Sequence, residues 1–110
     1  MADTLNNRIA VITDALNRNN SAGTGKTLTI GGSLNGPLGL TVAEGGRLLA
    51  FDSGDGFIIE ITQQGAQIAK TLLDNSGTPP GAGALFGLIF QQGRGVVFVD
   101  DATNTLNLLQ

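Results

Sequence analysis

The sequence predicts an all-β fold made of repeated antiparallel sheets, and three observations support this. Apolar residues fall in short runs separated by glycine-containing turns, which is the pattern of short strands. Seventeen glycines accompany only three prolines, as many tight turns require. One turn sequence occurs three times: DTLNNRI from Asp3, DSGDGFI from Asp52 and, more loosely, DDATNTL from Asp100. The spacings of 49 residues (3 to 52) and 48 residues (52 to 100) fall near the ~40–50-residue repeats that form β-propeller blades.

The apolar runs define nine candidate strands. In chain order they are residues 8–13, 27–30, 38–43, 47–51, 57–62, 68–73, 85–90, 95–99 and 105–109. Gly45-Gly46 and the run from Gly54 to Gly56 suit tight turns between neighbouring strands. Segment 6–17 also has the apolar spacing of a helix, but its alignment with residues 56–62 favours a strand.

Alignment of the repeats divides the chain into three parts. LLAFD, ending at Asp52, aligns with VVFVD, ending at Asp100, and RIAVIT from Arg8 aligns with FIIEIT from Phe57. On this basis residues 3–35 are the third and fourth strands of one blade, and residues 36–75 are a complete four-stranded blade. Residues 76–110 are then the first three strands of another blade.

Three of these segments together resemble an NHL repeat: GPLGL (36–40), GGRLLAFDSGDG (45–56) and IIEI (58–61). In that family a Gly-Leu strand is followed by a strand ending in Asp, a turn, and a strand that often begins with Arg-Ile. The segment from Asp3 to Ile9 fits this turn closely, and residues 87–106 fit it more weakly. The resemblance implies four antiparallel strands per blade and usually six blades. Phe57 and Thr105 replace the arginine of the first copy, so its contact is not expected to recur.

Composition excludes several classes of site. Hydrophobic residues make up 41% and charged residues 14%, which is typical of a globular domain. Histidine and cysteine are absent, which removes the commonest general base and thiolate chemistry. The net charge is -3 and the six basic residues are scattered, so no nucleic-acid partner is expected. No membrane span or signal peptide is apparent, so the chain is expected to be soluble, with its localisation undetermined.

One segment imitates a phosphate-binding loop. GTGKT (23–27) resembles the end of such a loop, and VVFVDD (96–101) resembles a magnesium-binding strand. The full motif needs a glycine where Asn20 stands, and a helix where alternating strand-like residues follow Lys26. We therefore expect no nucleotide site here.

The repeated aspartates admit two interpretations. Aspartates at equivalent blade positions could line one rim and bind a cation through their oxygens. Alternatively, each accepts backbone N–H bonds in the turn that follows it, and recurs because the turn recurs. The second interpretation is favoured, because it needs only one copy per blade. The turn positions assigned a structural role are Asp3, Asn6, Asp52, Asp55, Asp100 and Asn104; no catalytic, cofactor-binding or metal-binding residue is predicted.

The sequence therefore predicts a two-blade unit whose partner is another copy of itself. Two blades cannot close a ring, and apolar blade faces left open would associate. Three copies would form the six-bladed ring that the resemblance implies, so the expected state is a homotrimeric scaffold without catalysis. Such a ring needs eight strands per chain; because nine are predicted, one third-strand segment (8–13 or 105–109) is redundant, displaced or exchanged. Met1 falls in mid-blade, which suggests an excised or engineered fragment.

Two other functions stay open. The chain could derive from a propeller enzyme similar to the gluconolactonase-like metal-dependent hydrolases, whose sites cluster Glu, Asn and Asp around the channel. It could also derive from a protein- or RNA-binding propeller, although the basic and aromatic surface that binds single-stranded RNA is lacking.

Overall fold

A computed structural model describes all 110 residues as ten β-strands in three antiparallel sheets, without an α-helix. The N-terminal sheet contains β1 (Ala2–Asp3), β2 (Arg8–Val11) and β3 (Lys26–Ile30). The central sheet contains β4 (Pro37–Val42), β5 (Leu48–Asp52), β6 (Phe57–Ile61) and β7 (Gln67–Leu72). The C-terminal sheet contains β8 (Leu85–Gln91), β9 (Gly95–Asp100) and β10 (Thr105–Leu109). In each sheet the strands are neighbours in chain order, and the predicted all-β fold is confirmed.

All nine predicted strands are present, with ends that differ by up to two residues, and a tenth, β1, was missed. This strand has only two residues, paired as Ala2 with Ile9 and Asp3 with Arg8. The terminal amine extends the pairing, since Met1 donates to the Ala10 carbonyl at 2.8 Å and accepts its N–H at 2.9 Å. Such a short polar segment carries no periodic signal in the sequence.

The two ambiguous N-terminal segments are both resolved in favour of strands. The helical alternative for residues 6–17 is wrong, because this segment forms β2 and then a turn in which Asp14 has a φ of 54°. The loop that resembles a phosphate-binding motif leads into strand β3 at Lys26. A phosphate-binding loop would need a helix N-terminus at that point.

The sequence repeat is also a repeat of strand register. Phe51 pairs with Ile58 and Ala50 with Ile59 between β5 and β6. Forty-eight residues later, Val99 pairs with Leu106 and Phe98 with Asn107 between β9 and β10. Corresponding residues of the central and C-terminal sheets therefore occupy corresponding positions, so the two sheets can be compared residue by residue.

The three sheets stack face to face, with the central sheet in the middle. Alternate residues of β5 and β6 point to opposite faces, as strand geometry requires. One face packs on the N-terminal sheet through a cluster of Ile9, Leu34, Ala50, Ile59 and Ile61. The other packs on the C-terminal sheet through a cluster of Phe51, Ile58, Ala84, Leu85, Val96 and Phe98. The Phe51 and Phe98 rings meet edge to face in this second cluster, with their centroids 5.4 Å apart.

We call the face of a sheet that points towards the next sheet along the chain its leading face. In the central sheet the leading face includes Phe51 and Ile58, which are buried against the C-terminal sheet. The corresponding leading face of the C-terminal sheet includes Val99 and Leu106. No further sheet comes after it in this chain.

Candidate functional site

The first Asp turn is closed by hydrogen bonds to its aspartate. Asp3 accepts the backbone N–H of Asn6 at 3.2 Å and the Asn6 side-chain amide at 3.0 and 3.1 Å. Arg8 Nε donates to Asp3 Oδ2 at 2.8 Å across the β1–β2 pair. The Arg8 guanidinium, followed by the Asn6 amide, lowers the pKa of Asp3 below its ordinary value. This turn contains both an Asx-type hydrogen bond and a salt bridge.

The third Asp turn keeps only the first of these contacts. Asp100 is buried and accepts the backbone N–H of Thr103 at 3.3 Å. Thr105 lies directly opposite it on β10, at the position that Arg8 occupies opposite Asp3. Threonine carries no charge, so the salt bridge is lost here. The sequence predicted that loss from the replacement of arginine.

The second Asp turn differs from both. Asp52 is fully buried, and neither of its carboxylate oxygens has a hydrogen-bond partner. Oδ1 of Asp55 is buried and unpaired in the same way, while its Oδ2 lies 3.4 Å from Lys70 Nζ. Phe57 stands where the first copy has arginine, and Lys70 Nζ lies 4.0 Å from its ring centroid. The cation here is held by the aromatic ring and by Asp55.

Burial raises the pKa of Asp52 to about 6, and the negative charge of Asp55 acts in the same direction. The Asn35 backbone N–H, which lies near Asp52 without meeting hydrogen-bond geometry, and the Lys70 ammonium offset these effects only in part. The loop between β7 and β8 contributes to the burial by closing over this turn. Gly83 donates its N–H to the Ser53 carbonyl at 2.7 Å.

These carboxylates do not converge into a metal centre. No group of three or more carboxylates is arranged to hold a metal ion. Asp3 and Asp100 lie in the outer sheets and Asp52 lies in the central sheet between them. Each aspartate is at the end of its own strand, beside the turn that follows it. The arrangement is one of three separate turns.

The repeat position of Asn104, which was predicted as a turn residue, also contains Asn7 and Gly56, which the sequence reasoning missed. Asn104 has a φ of 53°, and one and two repeats earlier Gly56 and Asn7 have φ values of 73° and 52°. This left-handed conformation is accessible to glycine and asparagine. Asn7 also binds the next connection, since it donates to the Leu34 carbonyl and accepts the Gly36 N–H, both at 2.9 Å. The recurrence of Asn or Gly at one repeat position was the available signal.

A second candidate site is the leading face of the C-terminal sheet, where two equivalent glycines differ in their surroundings. A Cβ added to Gly39 on β4 would meet the Phe86 carbonyl oxygen of β8 and lie 2.6 Å from Leu88 Cδ2. The Phe90 N–H donates to Thr41 Oγ1 at 3.2 Å along the same contact. Gly87, one repeat after Gly39, has nothing within 4 Å of such a Cβ. The close contact made at Gly39 has no counterpart at Gly87.

The apolar residues of the two leading faces show the same difference. Phe51 is fully buried in the central sheet, whereas its equivalent Val99 is 43% exposed. Ile58 is 5% exposed, whereas its equivalent Leu106 is 72% exposed. Ile89 and Leu108 extend this open surface at 62% and 49% exposure. The C-terminal sheet therefore presents to solvent an apolar surface of the kind that the central sheet buries.

No protein-family model matches the chain, and no curated protein matches it significantly. None of the structural elements is a helix with the length and hydrophobicity needed to cross a membrane.

Proposed function

We propose that this chain is a two-blade unit of an NHL-like propeller that associates with copies of itself, as a homotrimer, into a closed six-bladed ring. Its function is that of a structural scaffold without catalysis. The support comes from the sequence repeat, its resemblance to NHL repeats, and the open leading face of the C-terminal sheet. Large apolar surfaces of this kind on soluble proteins commonly mark association sites.

The single observation that carries the proposal is the difference between Gly39 and Gly87. At Gly39 the absence of a side chain admits the backbone of the next first strand, at Phe86. Gly87 has the same residue type at the same repeat position, with open space above it. One repeat before Phe86 is Leu38 on β4. In the proposed ring, the carbonyl of Leu38 from a second copy therefore lies against Gly87.

A second copy is favoured as the occupant because the chain already contains the complementary surface. The central sheet packs its leading face on a sheet whose first strand is the repeat of β4. If the C-terminal sheet packs in the same way, its leading face contacts a sheet that begins with β4 of another copy. Head-to-tail contacts of this type close into rings when the rotation between copies divides a full turn.

The test is the oligomeric mass under native conditions. Native mass spectrometry of the unmodified chain at micromolar concentration is expected to show a trimer, and a monomer there would overturn the proposal. Gly87→Ala is the diagnostic variant, because its Cβ contacts nothing within the chain but would meet the incoming backbone. It is expected to keep the far-UV circular dichroism of the parent and to remain monomeric.

Gly39→Ala is the matched control for that variant. The same substitution one repeat earlier places its Cβ against Phe86 and Leu88 of the same chain. It is therefore expected to lower the melting temperature of the monomer, which Gly87→Ala does not. If Gly87→Ala assembles as well as the parent, the leading face of the C-terminal sheet is not the interface.

The metal-dependent hydrolase considered from the sequence makes a separate prediction. Such a site would bind Ca²⁺ through carboxylate and carbonyl oxygens. Calorimetric titration of the assembled chain with Ca²⁺ distinguishes it from the scaffold, which is expected to give no saturable heat.

A further inference from the structure

In the proposed ring, the C-terminal sheet of one copy and the N-terminal sheet of the next form one blade, but together they contain two third strands. The C-terminal sheet contains equivalents of the first, second and third strands of the central sheet. The N-terminal sheet contains the third and fourth, together with the two-residue end of the second, β1. Both third strands are paired, β2 with β1 and β10 with β9. Joining the two sheets into one blade therefore brings two strands to a single position.

The open space above Gly87 indicates how the C-terminal sheet of one copy must join the N-terminal sheet of the next. Its equivalent Gly39 is covered by a first strand, and the chain has only two first strands, β4 and β8. Simple stacking of a second copy would place its N-terminal sheet, which has no first strand, over Gly87. To bring β4 there, the N-terminal sheet of the second copy must lie beside β9, in the plane of the C-terminal sheet. That place is occupied by β10 in the isolated chain.

We propose, on the basis of the assembly proposed above, that the ring forms by strand exchange, in which β2 of a second copy replaces β10 at the edge of β9. The blade so formed has the order β8, β9, then β2 and β3 of the second copy. β1 of that copy leaves β2 at the same time, because β9 takes its place. Every blade of the ring then has four strands.

The repeat register places complementary charges together in the exchanged blade. Asp3 lies opposite Arg8 on β1 and β2, and Asp100 is the repeat equivalent of Asp3. β2 bound to β9 therefore puts Arg8 opposite Asp100, where β10 places Thr105. Arg8 then exchanges Asp3, which leaves with β1, for the buried Asp100 carboxylate, which has no cationic partner within its own chain.

The apolar packing favours the same exchange. Opposite Phe98, β10 places the polar Asn107, whereas β2 would place Ala10 in the same register. β10 is also weakly covered, since Leu106 and Leu108 point from it into solvent. β1, the other strand to be displaced, is held to β2 by two paired residues, by the terminal Met1 and by the Asp3–Arg8 salt bridge. Each displaced strand is thus short or poorly packed.

Cysteine cross-linking in the full chain tests the exchange, because the chain contains no cysteine of its own. Val97 faces Leu108 within the chain, and would face Val11 of a second copy after exchange. A Val97→Cys/Val11→Cys variant is expected to form disulfide-linked chains on mild oxidation. The control variant, Val97→Cys/Leu108→Cys, forms its disulfide within one chain and holds β10 in place. It is expected to assemble when reduced and to stay monomeric when oxidised before assembly.

A pair of charge substitutions gives a second readout. Val99 lies on the leading face of β9 and is buried in the ring with or without exchange, so Val99→Asp is expected to abolish assembly. Leu106 lies on the leading face of β10, which leaves the interface only if the strands exchange. Leu106→Asp is therefore expected to assemble like the parent chain.

The outcomes separate the two proposals. A parent chain that stays monomeric overturns the assembly itself. A parent chain that assembles, while Leu106→Asp does not and Val97→Cys/Val11→Cys gives no linked chains, overturns the exchange and leaves the assembly. Assembly of the oxidised Val97→Cys/Leu108→Cys variant overturns the exchange as well.

Discussion

Asn in place of Asp52 should stabilise the protein at neutral pH, although it removes a residue that the repeat retains. Asp52 is fully buried, its two carboxylate oxygens have no partner, and its pKa is raised to about 6 from an ordinary value of 3.8. The charged form is therefore disfavoured in the folded state. Asparagine has nearly the same shape and removes the charge.

The magnitude follows from the pKa difference. About two pKa units at ~1.4 kcal/mol each set an upper limit of about 3 kcal/mol for the cost of ionised Asp52 at pH 7. Screening by nearby solvent reduces this, so we expect Asp52→Asn to raise the free energy of unfolding by about 1–3 kcal/mol at pH 7. At pH 4 the wild-type carboxyl is protonated in the fold, and the two proteins should be nearly equal.

The pH dependence has a definite sign. A raised pKa means that the folded state binds more protons than the unfolded state between the two pKa values. The stabilisation by the protonated form is complete below the unfolded value of 3.8 and is lost as the pH rises through about 6. Asp3 and Asp74 have lowered pKa values, so their effects fall at more acidic pH. Partial burial lowers the pKa of the Met1 amine from its ordinary value of 8.0, so its effect falls towards neutral pH in both proteins. The difference between the wild type and Asp52→Asn from pH 4 to 7 therefore reports on Asp52.

Urea unfolding followed by far-UV circular dichroism is the suitable assay, because the chain has no tryptophan or tyrosine to supply a fluorescence signal. The measurements should be made at the same protein concentration throughout, because the apparent stability of an associating chain depends on its concentration. Asp3→Asn is the matched control at the equivalent repeat position, and should destabilise the isolated chain, in which it removes the Arg8 salt bridge. A wild-type stability that rises between pH 4 and 7, or an Asp52→Asn variant with the wild-type slope, would refute the reasoning.

Three further changes test other parts of the structure. Phe57→Arg restores the arginine of the first repeat, and carbon-detected NMR titration should show the pKa of Asp52 falling from about 6 towards its ordinary value; an unchanged pKa would contradict this. Phe98→Ala should cost about 3–5 kcal/mol in urea unfolding because Phe98 lies in the core, whereas Phe86→Ala, at 47% exposure, should cost much less. Asn104→Gly should leave the melting temperature of the monomer unchanged or higher, whereas Asn104→Val should lower it by the equivalent of about 1–2 kcal/mol, because the site has a φ of 53°.

The strands were predictable because each is a local pattern. Apolar runs such as that of β6 are flanked by turn residues, and the resemblance to NHL repeats implied that consecutive strands pair antiparallel. The alignment of Arg8 with Phe57 and Thr105 also predicted that the arginine contact of the first turn does not recur, although its partner, Asp3, was seen only in the structure. A repeat lets one copy serve as the template for another.

The properties that depend on neighbouring segments were not predictable. Asp52 has its raised pKa because the turn it begins is buried beneath the loop that leads to β8, and the sequence of the turn does not contain that information. The exposure of Val99 depends on whether another sheet covers the C-terminal sheet. β1 is defined by pairing with β2 and by the terminal amine, and both contacts are tertiary.

The glycine at the contact between β4 and β8 has a consequence for geometry. A missing side chain at Gly39 lets the two first strands approach to backbone contact, which fixes the spacing between sheets at that edge. In the ring proposed above, with the first strands nearest the axis, this spacing would set the angle between neighbouring sheets and therefore the number of sheets that complete the ring. A larger residue at Gly39 could not be accommodated at the same spacing, because its Cβ would meet the Phe86 carbonyl. The absence of a side chain at one position would thus help to set the size of the proposed ring.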